Sequence, residues 1–210
     1  MLAFIDSILN GIKIMQSAKI DFDVDIDMPN RDELLKFIKH IPASIVKDGK
    51  FTKHNTGVYL QNIPYKPLEN FSDIDHKTAE EDGWFKLDVL NNSVYTDIKS
   101  EAQLDQLISK DPMWELLQHS DIVEKLFHIN NYAKLVADYK PQSVEQLAMI
   151  LAIIRPGKKH LIGKTWSEIE ADVWIAPTDN TYFFKKSHAI AYALTIAVQL
   201  NLIVETAKSF

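Results

Sequence analysis

Four aspartates near the N-terminus alternate with apolar residues, in a pattern that could support metal-dependent chemistry. Residues 19–27 read KIDFDVDID, which places acids at positions 21, 23, 25 and 27. Successive side chains of a strand point to opposite faces, so a strand here brings all four acids to one face. Like charges this close raise one another's pKa, and a divalent cation such as Mg²⁺, which prefers oxygen ligands, would offset that repulsion.

The same alternation is typical of an ordinary half-exposed sheet, whose acids face water while Phe22, Val24 and Ile26 are buried. A metal site would need a further acid from another strand. Asp88 is an isolated acid in the apolar run FKLDVL, where an aspartate is costly unless it is paired or ligated. Two Mg²⁺ ions about 4 Å apart on such carboxylates can activate an attacking hydroxyl and stabilise a leaving oxygen in phosphoryl transfer.

The elements that must position these acids can be read from the local pattern. Met28-Pro29-Asn30 breaks the acidic strand, and Asn30 is predicted to cap a helix that runs through Ile38. Short β-branched or aromatic segments at 56–63 and 84–90 predict further strands of the same sheet. Asp88 therefore lies on a strand that could pair with the acidic one.

The second half of the chain has a helical pattern over residues 93–153, which ends at Arg155-Pro156-Gly157. Three residues are predicted to cap successive helices: Asp111, Ser120 and Ser143. Ser187 is predicted to open a last, mostly buried apolar helix. The pattern as a whole predicts an α+β fold in which helix dominates.

Composition limits the classes of function. The chain has 210 residues, 46% of them hydrophobic, and no cysteine, which excludes disulfides and thiolate sites. No stretch is apolar enough for a membrane span, and residues 1–16 read as an amphipathic helix and not a secretory signal, so we expect a cytoplasmic protein without a membrane partner.

Residues 1–120 hold 13 Lys and Arg against 20 Asp and Glu, whereas residues 121–210 hold 10 against 9. A nucleic-acid surface is therefore expected in the second half, and the acidic whole argues against a self-sufficient DNA binder.

Five segments, in order, resemble the alpha subunit of bacterial DNA polymerase III, the C-family replicative DNA polymerase. They are IDFDVDIDMPNRDELL (20–35), HNTGVYL (54–60), DIDHKTAEEDGWFKLDVL (73–90), YKPQSVEQLAMILAIIRPG (139–157) and FKKSHAIAYAL (184–194). The acidic strand and the serine-histidine-alanine segment would each be a weak match alone, but five segments in the family's order make chance similarity a poor explanation.

The resemblance implies a polymerase-beta-like nucleotidyltransferase palm, in which a small mixed sheet carries the catalytic aspartates, over residues 1–92. Residues 93–210 would form a mostly helical part, with a reduced fingers-like segment and a C-terminal helix that packs back on the palm. By the same resemblance Asp23, Asp25 and Asp88 are the catalytic carboxylates and hold two Mg²⁺ ions.

Four basic residues match family positions that contact nucleotide or DNA: Lys86, Arg155, Lys186 and His188. Positive groups aimed at phosphate charge are what such catalysis requires. Each also has an ordinary structural interpretation. Lys86 could be a strand-edge lysine, Lys186 part of a solvated loop, and His188 a hydrogen-bonded capping residue.

Three departures from the family pattern bear on function. Residues 1–19 lack the glycine-serine-rich helix start that binds triphosphate in the family, and the interval from Arg155 to Lys186 is too short for most of its fingers. Lys158 replaces the proline that usually follows the arginine-proline-glycine loop. These departures imply that template and nucleotide recognition are reduced, or that a protein partner supplies the missing phosphate-binding or DNA-binding elements.

The resemblance therefore predicts a magnesium-dependent nucleotidyltransferase, in the first place a template-directed DNA polymerase that uses DNA primer-template and dNTPs in DNA replication within a larger assembly. The alternative is a catalytically inactive, polymerase-like module that contacts a polymerase, clamp or other replication partner. Untemplated nucleotide addition or primer synthesis would use the same carboxylates. The compact size also suits a virus-encoded or mobile-element protein acting in a host cytoplasm.

Overall fold

The computed structural model describes residues 24–179 and 181–207, which combine a small mixed sheet with several helices. The α+β prediction is thereby confirmed at this level. Two compact units divide the chain, Met1–Thr96 and Asp97–Phe210. Residues 1–23, which include the predicted amphipathic helix, Asp21 and Asp23, lie outside the described residues.

The first unit contains the sheet. Its described elements are β1 (Val24–Met28), α1 (Arg31–Phe37), β2 (Ile41–Lys47), β3 (Lys50–Tyr59), β4 (Tyr65–Lys66), β5 (Phe71–Ser72), α2 (His76–Glu81) and β6 (Leu87–Asn91). The main sheet has the order β1-β6-β3-β2, and β4 pairs with β5 in a separate two-stranded sheet. β1 and β6 are parallel, whereas β6–β3 and β3–β2 are antiparallel. The predicted strands at 56–63 and 84–90 do join the acidic strand in one sheet, with shifted ends.

A β-hairpin that the sequence reading missed joins β2 to β3. Lys47 pairs with Lys50, and the two residues between them, Asp48 and Gly49, have φ values of 51° and 74°. Asp-Gly is a strong signal for a two-residue turn of this kind, because both central residues need positive φ. That dipeptide could have located both strands from the sequence.

The two faces of the main sheet have different partners. One face carries Val58, Leu87 and Val89, which pack with Leu34 of α1 in a small core. The opposite face carries Ala43 and Tyr59, which are buried with Ala79 of α2 and Ile63. Residues of β3 alternate between faces, so Gly57 and Tyr59 share the second face.

The cap of α1 is as predicted. The Asn30 side chain accepts hydrogen bonds from the amides of Asp32 and Glu33. A side-chain oxygen at this position satisfies backbone donors that have no partner within the helix. The helix consequently begins at Arg31, directly after the acidic strand.

The second unit is helical. Its described α-helices are α3 (Glu101–Ser109), α4 (Ser120–Val123), α5 (Ala133–Tyr139), α6 (Val144–Ile153), α7 (Trp166–Asp172) and α8 (Lys186–Ala207). Short 3₁₀ segments cover Trp114–Gln118 and Pro156–Leu161, and another, Ser93–Asp97, lies at the end of the first unit. Every residue of α6 from Leu147 to Ile153 is buried, and α6 packs along α8 in the core of this unit.

One of the three predicted caps in this half is confirmed and two are wrong. Ser143 caps α6 by accepting a hydrogen bond from the Gln146 amide. Asp111 instead accepts a hydrogen bond from the indole nitrogen of Trp114 at 3.2 Å. Ser120 is already the first residue of the one-turn helix α4, so His119 occupies the cap position.

The last helix begins at Lys186, one residue before the predicted Ser187, and runs for 22 residues. By length and composition α8 could cross a membrane, and it is the one such helix in the described ranges. Ala193, Ile196 and Leu200 are nevertheless buried in the core around α6, as in the core helix of a soluble protein. This helix is therefore weak evidence for a membrane span and is consistent with a soluble protein.

Candidate functional site

The parallel pairing of β1 and β6 brings two of the predicted carboxylates together. Asp25 and Asp88 are direct register partners. Neighbouring strands lie about 4.8 Å apart, and the side chains of partner residues in a parallel pair point to the same face. Asp23, the third predicted carboxylate, lies outside the described residues.

Asp27, two residues beyond Asp25 on β1, adds a further acid to this face. Burial raises the pKa of its carboxyl, a hydrogen bond from the Asn92 amide at 3.3 Å opposes that rise, and the Asp25 charge adds to it. Asn92 is fully buried, and its own backbone amide donates to the Met28 carbonyl at 2.8 Å. Asp27 is thus part of the hydrogen-bonded junction at the ends of β1 and β6.

Both oxygens of Asp88 have donors within the sheet. The Thr56 hydroxyl donates to Oδ1 at 2.6 Å, and the Lys86 ammonium forms an ion pair with Oδ2. The Lys86 and Asp88 side chains are only 15% and 17% exposed, so water screens this pair less than a surface ion pair. Lys86, which was predicted to contact nucleotide or DNA, therefore forms an ion pair with Asp88, one of the predicted catalytic carboxylates.

The β3 strand bulges beside Asp88. Pro42 pairs with Val58 and Ser44 pairs with Lys53, so residues 54–57 of β3 stand opposite Ala43 alone. Such a bulge removes ladder partners from the extra residues, and bulges are common next to active sites. The sequence contains no clear signal for this bulge.

His54 supplies the missing partner within the bulge. Its Nδ1 accepts hydrogen bonds from the backbone amides of Gly57 at 2.9 Å and Thr56 at 3.3 Å. Burial lowers the pKa of this imidazole more than the Asp88 charge raises it, and nearby Lys86 lowers it further. His54 is thus neutral with an accepting Nδ1, and its 3.8 Å approach to Asp88 is not a charged salt bridge. Its role is to organise the backbone under the carboxylates.

Gly57 is the register partner of Asp88 on the other side of β6. A Cβ at this position would lie 2.9 Å from Cδ of Lys86, 3.0 Å from Cβ of Ala43 and 3.0 Å from Nδ1 of His54. Real Cβ atoms are essentially never closer than about 3 Å to such neighbours. A side chain at position 57 would therefore clash with the Lys86 alkyl chain, which occupies the space above Gly57. The missing side chain lets Lys86 lie along the sheet towards Asp88.

Arg31 is a further residue whose role the sequence reading missed. The β3–β6 ladder covers only Gly57–Asp88 and Val58–Leu87. Beyond it, the Arg31 guanidinium donates to the carbonyls of Val89 at 3.0 Å and Thr56 at 3.3 Å. Arg31 therefore joins the two strands that carry Asp88 and Thr56 where they no longer pair directly.

The donor chemistry of Asp25 and Asp88 fits Mg²⁺. This ion commonly uses one or two protein carboxylates and completes its octahedron with water and substrate phosphates. Among the described residues no group of three His, Cys, Asp or Glu side chains could hold a metal ion. A site for two ions would therefore depend on Asp23 as well, which lies outside the described residues.

The other predicted basic residues lie in the second unit, where two of them meet on one aromatic ring. The Arg155 guanidinium lies 4.9 Å from the ring centroid of Phe184, and the His188 ring lies parallel to the same ring at 6.3 Å. Nε of Arg155 is buried without a hydrogen-bond partner among the described residues. Lys186 lies instead with its Nζ 5.9 Å from the ring of Trp174.

A cavity of about 450 Å³ adjoins this cluster within the second unit. Its lining includes the aromatic residues Tyr182, Phe184 and Tyr192 and the basic residues Lys185 and His188. Ligand sites commonly combine an apolar or aromatic lining with a few polar groups and have volumes in this range. The predicted Arg155 and His188 thus adjoin a concave surface with suitable chemistry for a base or a phosphate.

The loop that carries Arg155 is held in place by its neighbours. The Gly157 amide donates to the Tyr182 carbonyl at 2.9 Å. Lys158 is 2% exposed, and its ammonium donates to the carbonyl of Asp172 at 2.7 Å and to its carboxylate at 2.6 Å. Lys158 therefore acts as a buried anchor of this loop.

Comparisons with protein-family models, with curated proteins and with solved structures gave no match.

Proposed function

We propose that this protein is a magnesium-dependent nucleotidyltransferase with a minimal polymerase-beta-like palm of the C-family type, acting as a template-directed DNA polymerase. The observation that carries the proposal is the register pairing of Asp25 with Asp88 on adjacent parallel strands. Two carboxylates from different strands on one face provide the oxygen donors that phosphoryl transfer with divalent ions requires. The order of the five family-like segments supports the choice of reaction.

In this proposal a primer 3′-hydroxyl attacks the α-phosphate of a dNTP, and pyrophosphate leaves. Asp25 and Asp88, with Asp23, hold the ions, which when bound lower the pKa of the hydroxyl and neutralise charge on the phosphates. Thr56 orients the Asp88 carboxylate through its 2.6 Å hydrogen bond, and His54 and Arg31 fix the backbone beneath. Lys86, whose ammonium pairs with Asp88, is the described cation nearest to these carboxylates, and positive charge beside them favours the binding of substrate phosphates.

Nucleotide or DNA contact by Arg155, Lys186 and His188 is part of the same proposal. Arginine and lysine bind phosphate by charge-assisted hydrogen bonds, and aromatic rings such as Tyr182 can stack on bases. The cavity beside Phe184 and the buried, unpartnered Nε of Arg155 support this assignment. Three further proposals follow from the sequence. A protein partner supplies further phosphate- or DNA-binding elements, the protein acts in the cytoplasm, and its origin is viral or a mobile element.

The second candidate is an inactive polymerase-like module that contacts a replication partner. The observation in its favour is that the Lys86 ammonium already pairs with Asp88, so this carboxylate has a counter-charge without an ion. In that case the sheet would have a structural role, and catalysis would belong to another chain.

Primer extension tests the proposal directly. The wild-type protein is incubated with a labelled DNA primer-template, dNTPs and Mg²⁺, beside Asp25→Asn and Asp88→Asn. Asp27→Asn is the matched control, because Asp27 lies on the same strand and face but is bonded to Asn92. We expect template-directed extension that falls at least about a thousandfold in Asp25→Asn and Asp88→Asn and survives in Asp27→Asn. Equal extension by all four proteins would show that a contaminating enzyme makes the product, and folded protein without extension would favour the inactive module.

A further inference from the structure

The ion pair between Lys86 and Asp88 occupies the position at which a divalent cation would reach the carboxylate. Asp88 has two oxygens, of which one accepts from Thr56 and the other is paired with the Lys86 ammonium. A cation that binds through Oδ2 must share that oxygen with an ammonium group or replace it. Two cations on one carboxylate oxygen in a partly buried site repel each other strongly.

The fold holds Lys86 in this position. Its alkyl chain runs over Gly57, where a Cβ would lie only 2.9 Å from Cδ of Lys86. Lys86 immediately precedes β6 and lies two residues before Asp88, and its ammonium reaches Oδ2 of that residue. The packing around Gly57 therefore fixes this ion pair, which differs in this respect from an ion pair between two mobile surface side chains.

We infer that Lys86 is an internal counter-cation of Asp88, which competes with the divalent ion for this carboxylate and must leave it when the ion binds. The inference rests on the proposed function, and it adds a regulatory step to that site. The ammonium balances the Asp88 charge before the ion arrives. Once displaced from Asp88, the Lys86 ammonium is a positive charge beside the carboxylates and can bind the phosphates of a substrate.

The matched control for Lys86 is Lys47. The Lys47 charge acts on the same neighbourhood, since it helps to lower the pKa of His54, but no ion pair joins it to Asp88. Removing either lysine therefore removes one positive charge near the site. Only Lys86→Met removes the competing ammonium from Asp88 itself.

The first experiment measures Mn²⁺ affinity of the full chain by electron paramagnetic resonance of the free ion, without nucleotide or DNA. We expect Lys86→Met and Lys86→Gln to bind Mn²⁺ about tenfold more tightly than wild type, which corresponds to about 1.4 kcal/mol. Lys47→Met should stay within about twofold of wild type, because charges at longer range are screened. Asp25→Asn should weaken binding in every background, and thermal unfolding confirms that each variant is folded.

The second experiment follows the displaced ammonium. Acetylation of lysines by a dilute amine-reactive ester is measured by mass spectrometry with and without Mg²⁺. Release from Asp88 should raise the acetylation rate of Lys86 several-fold on Mg²⁺ addition, while the exposed Lys47 serves as an internal reference whose rate does not change.

The outcomes separate the inference from the proposed function. Mn²⁺ binding that depends on Asp25 but is equal or weaker in Lys86→Met and Lys86→Gln would overturn the counter-cation role and leave the proposed function standing. Absence of Mn²⁺ binding in wild type and in both Lys86 variants would overturn the proposed function and the inference together.

Discussion

Asp25 on β1 and Asp88 on β6 are register partners, and Asp88 forms an ion pair with Lys86. The Asp88 carboxylate also accepts a hydrogen bond from the Thr56 hydroxyl at 2.6 Å, so contacts of the folded chain hold both of its oxygens. Asp25 is exposed, and its charge helps to raise the pKa of the Asp27 carboxyl.

Substitution of Asp88 should therefore lower the stability of the folded chain. We expect Asp88→Asn to lower the free energy of unfolding in EDTA by about 1–2 kcal/mol, because the partly buried Lys86 ammonium loses its charged partner. Urea denaturation measures this value, and an Asp88→Asn variant as stable as wild type would contradict the described ion pair.

Gly57 should tolerate no side chain. Gly57→Ala places a Cβ within 3.0 Å of Ala43, His54 and Lys86, and we expect a loss of about 2–3 kcal/mol in the free energy of unfolding. Gly83→Ala is the matched control, since Gly83 has a positive φ of 84° but no atom within 4 Å of the added Cβ. It should cost only about 1 kcal/mol, from backbone conformation. Equal effects of the two substitutions, measured by chemical denaturation, would argue against close packing at Gly57.

The Lys158–Asp172 pair should respond unequally to loss of either partner. The Lys158 side chain is 3% exposed and that of Asp172 is 40% exposed. Asp172→Ala leaves a buried ammonium with one carbonyl partner, and we expect it to cost about 3 kcal/mol of unfolding free energy. Lys158→Met leaves a carboxylate that water can solvate, so its cost should be below about 1.5 kcal/mol. A double-mutant cycle measures the coupling, and a larger cost for Lys158→Met would reverse the assignment of the buried partner.

The first unit should lose stability in mild acid through His54. Burial holds the pKa of this imidazole below its usual 6.5, so the unfolded chain takes up the proton first. The stabilising contribution is present above pH 6.5 and is lost as the pH falls towards the pKa of the folded state. His54→Asn keeps an acceptor for the Gly57 amide but cannot titrate, so its stability should fall less between pH 7.5 and pH 5.5.

Measurement of this effect needs a control in the second unit. Burial and the Arg155 charge lower the pKa of His128 as well, so wild type contains two contributions of the same sign. His128→Asn retains a residue type that accepts the φ of 59° at this position. Urea midpoints at the two pH values should therefore show a reduced acid loss in each single variant and the smallest loss in the double variant. An unchanged pH dependence in His54→Asn would show that this imidazole is not held neutral.

Local sequence patterns predicted several elements correctly because neighbouring residues decide them. Alternation of acids with Val24 and Ile26 predicted β1, the Asn30 side chain predicted the start of α1, and Ser143 predicted the start of α6. Asp111 and Ser120 were misread as caps, since a cap needs both the residue type and the right backbone position. The Asp48-Gly49 turn was readable in principle and was missed.

The candidate site required the tertiary structure, because its contacts join distant parts of the chain. The sequence by itself determined that acids at 25 and 27 share a face and that Asp88 lies on another strand. Only the sheet order decided that Asp25 and Asp88 are partners, since many registers are compatible with the same alternation. The bulge at 54–57 and the absence of a side chain at Gly57 decided that Lys86 lies along the sheet to Asp88. The physical reason is that residue type determines which face a side chain takes, whereas pairing and packing determine which side chains meet.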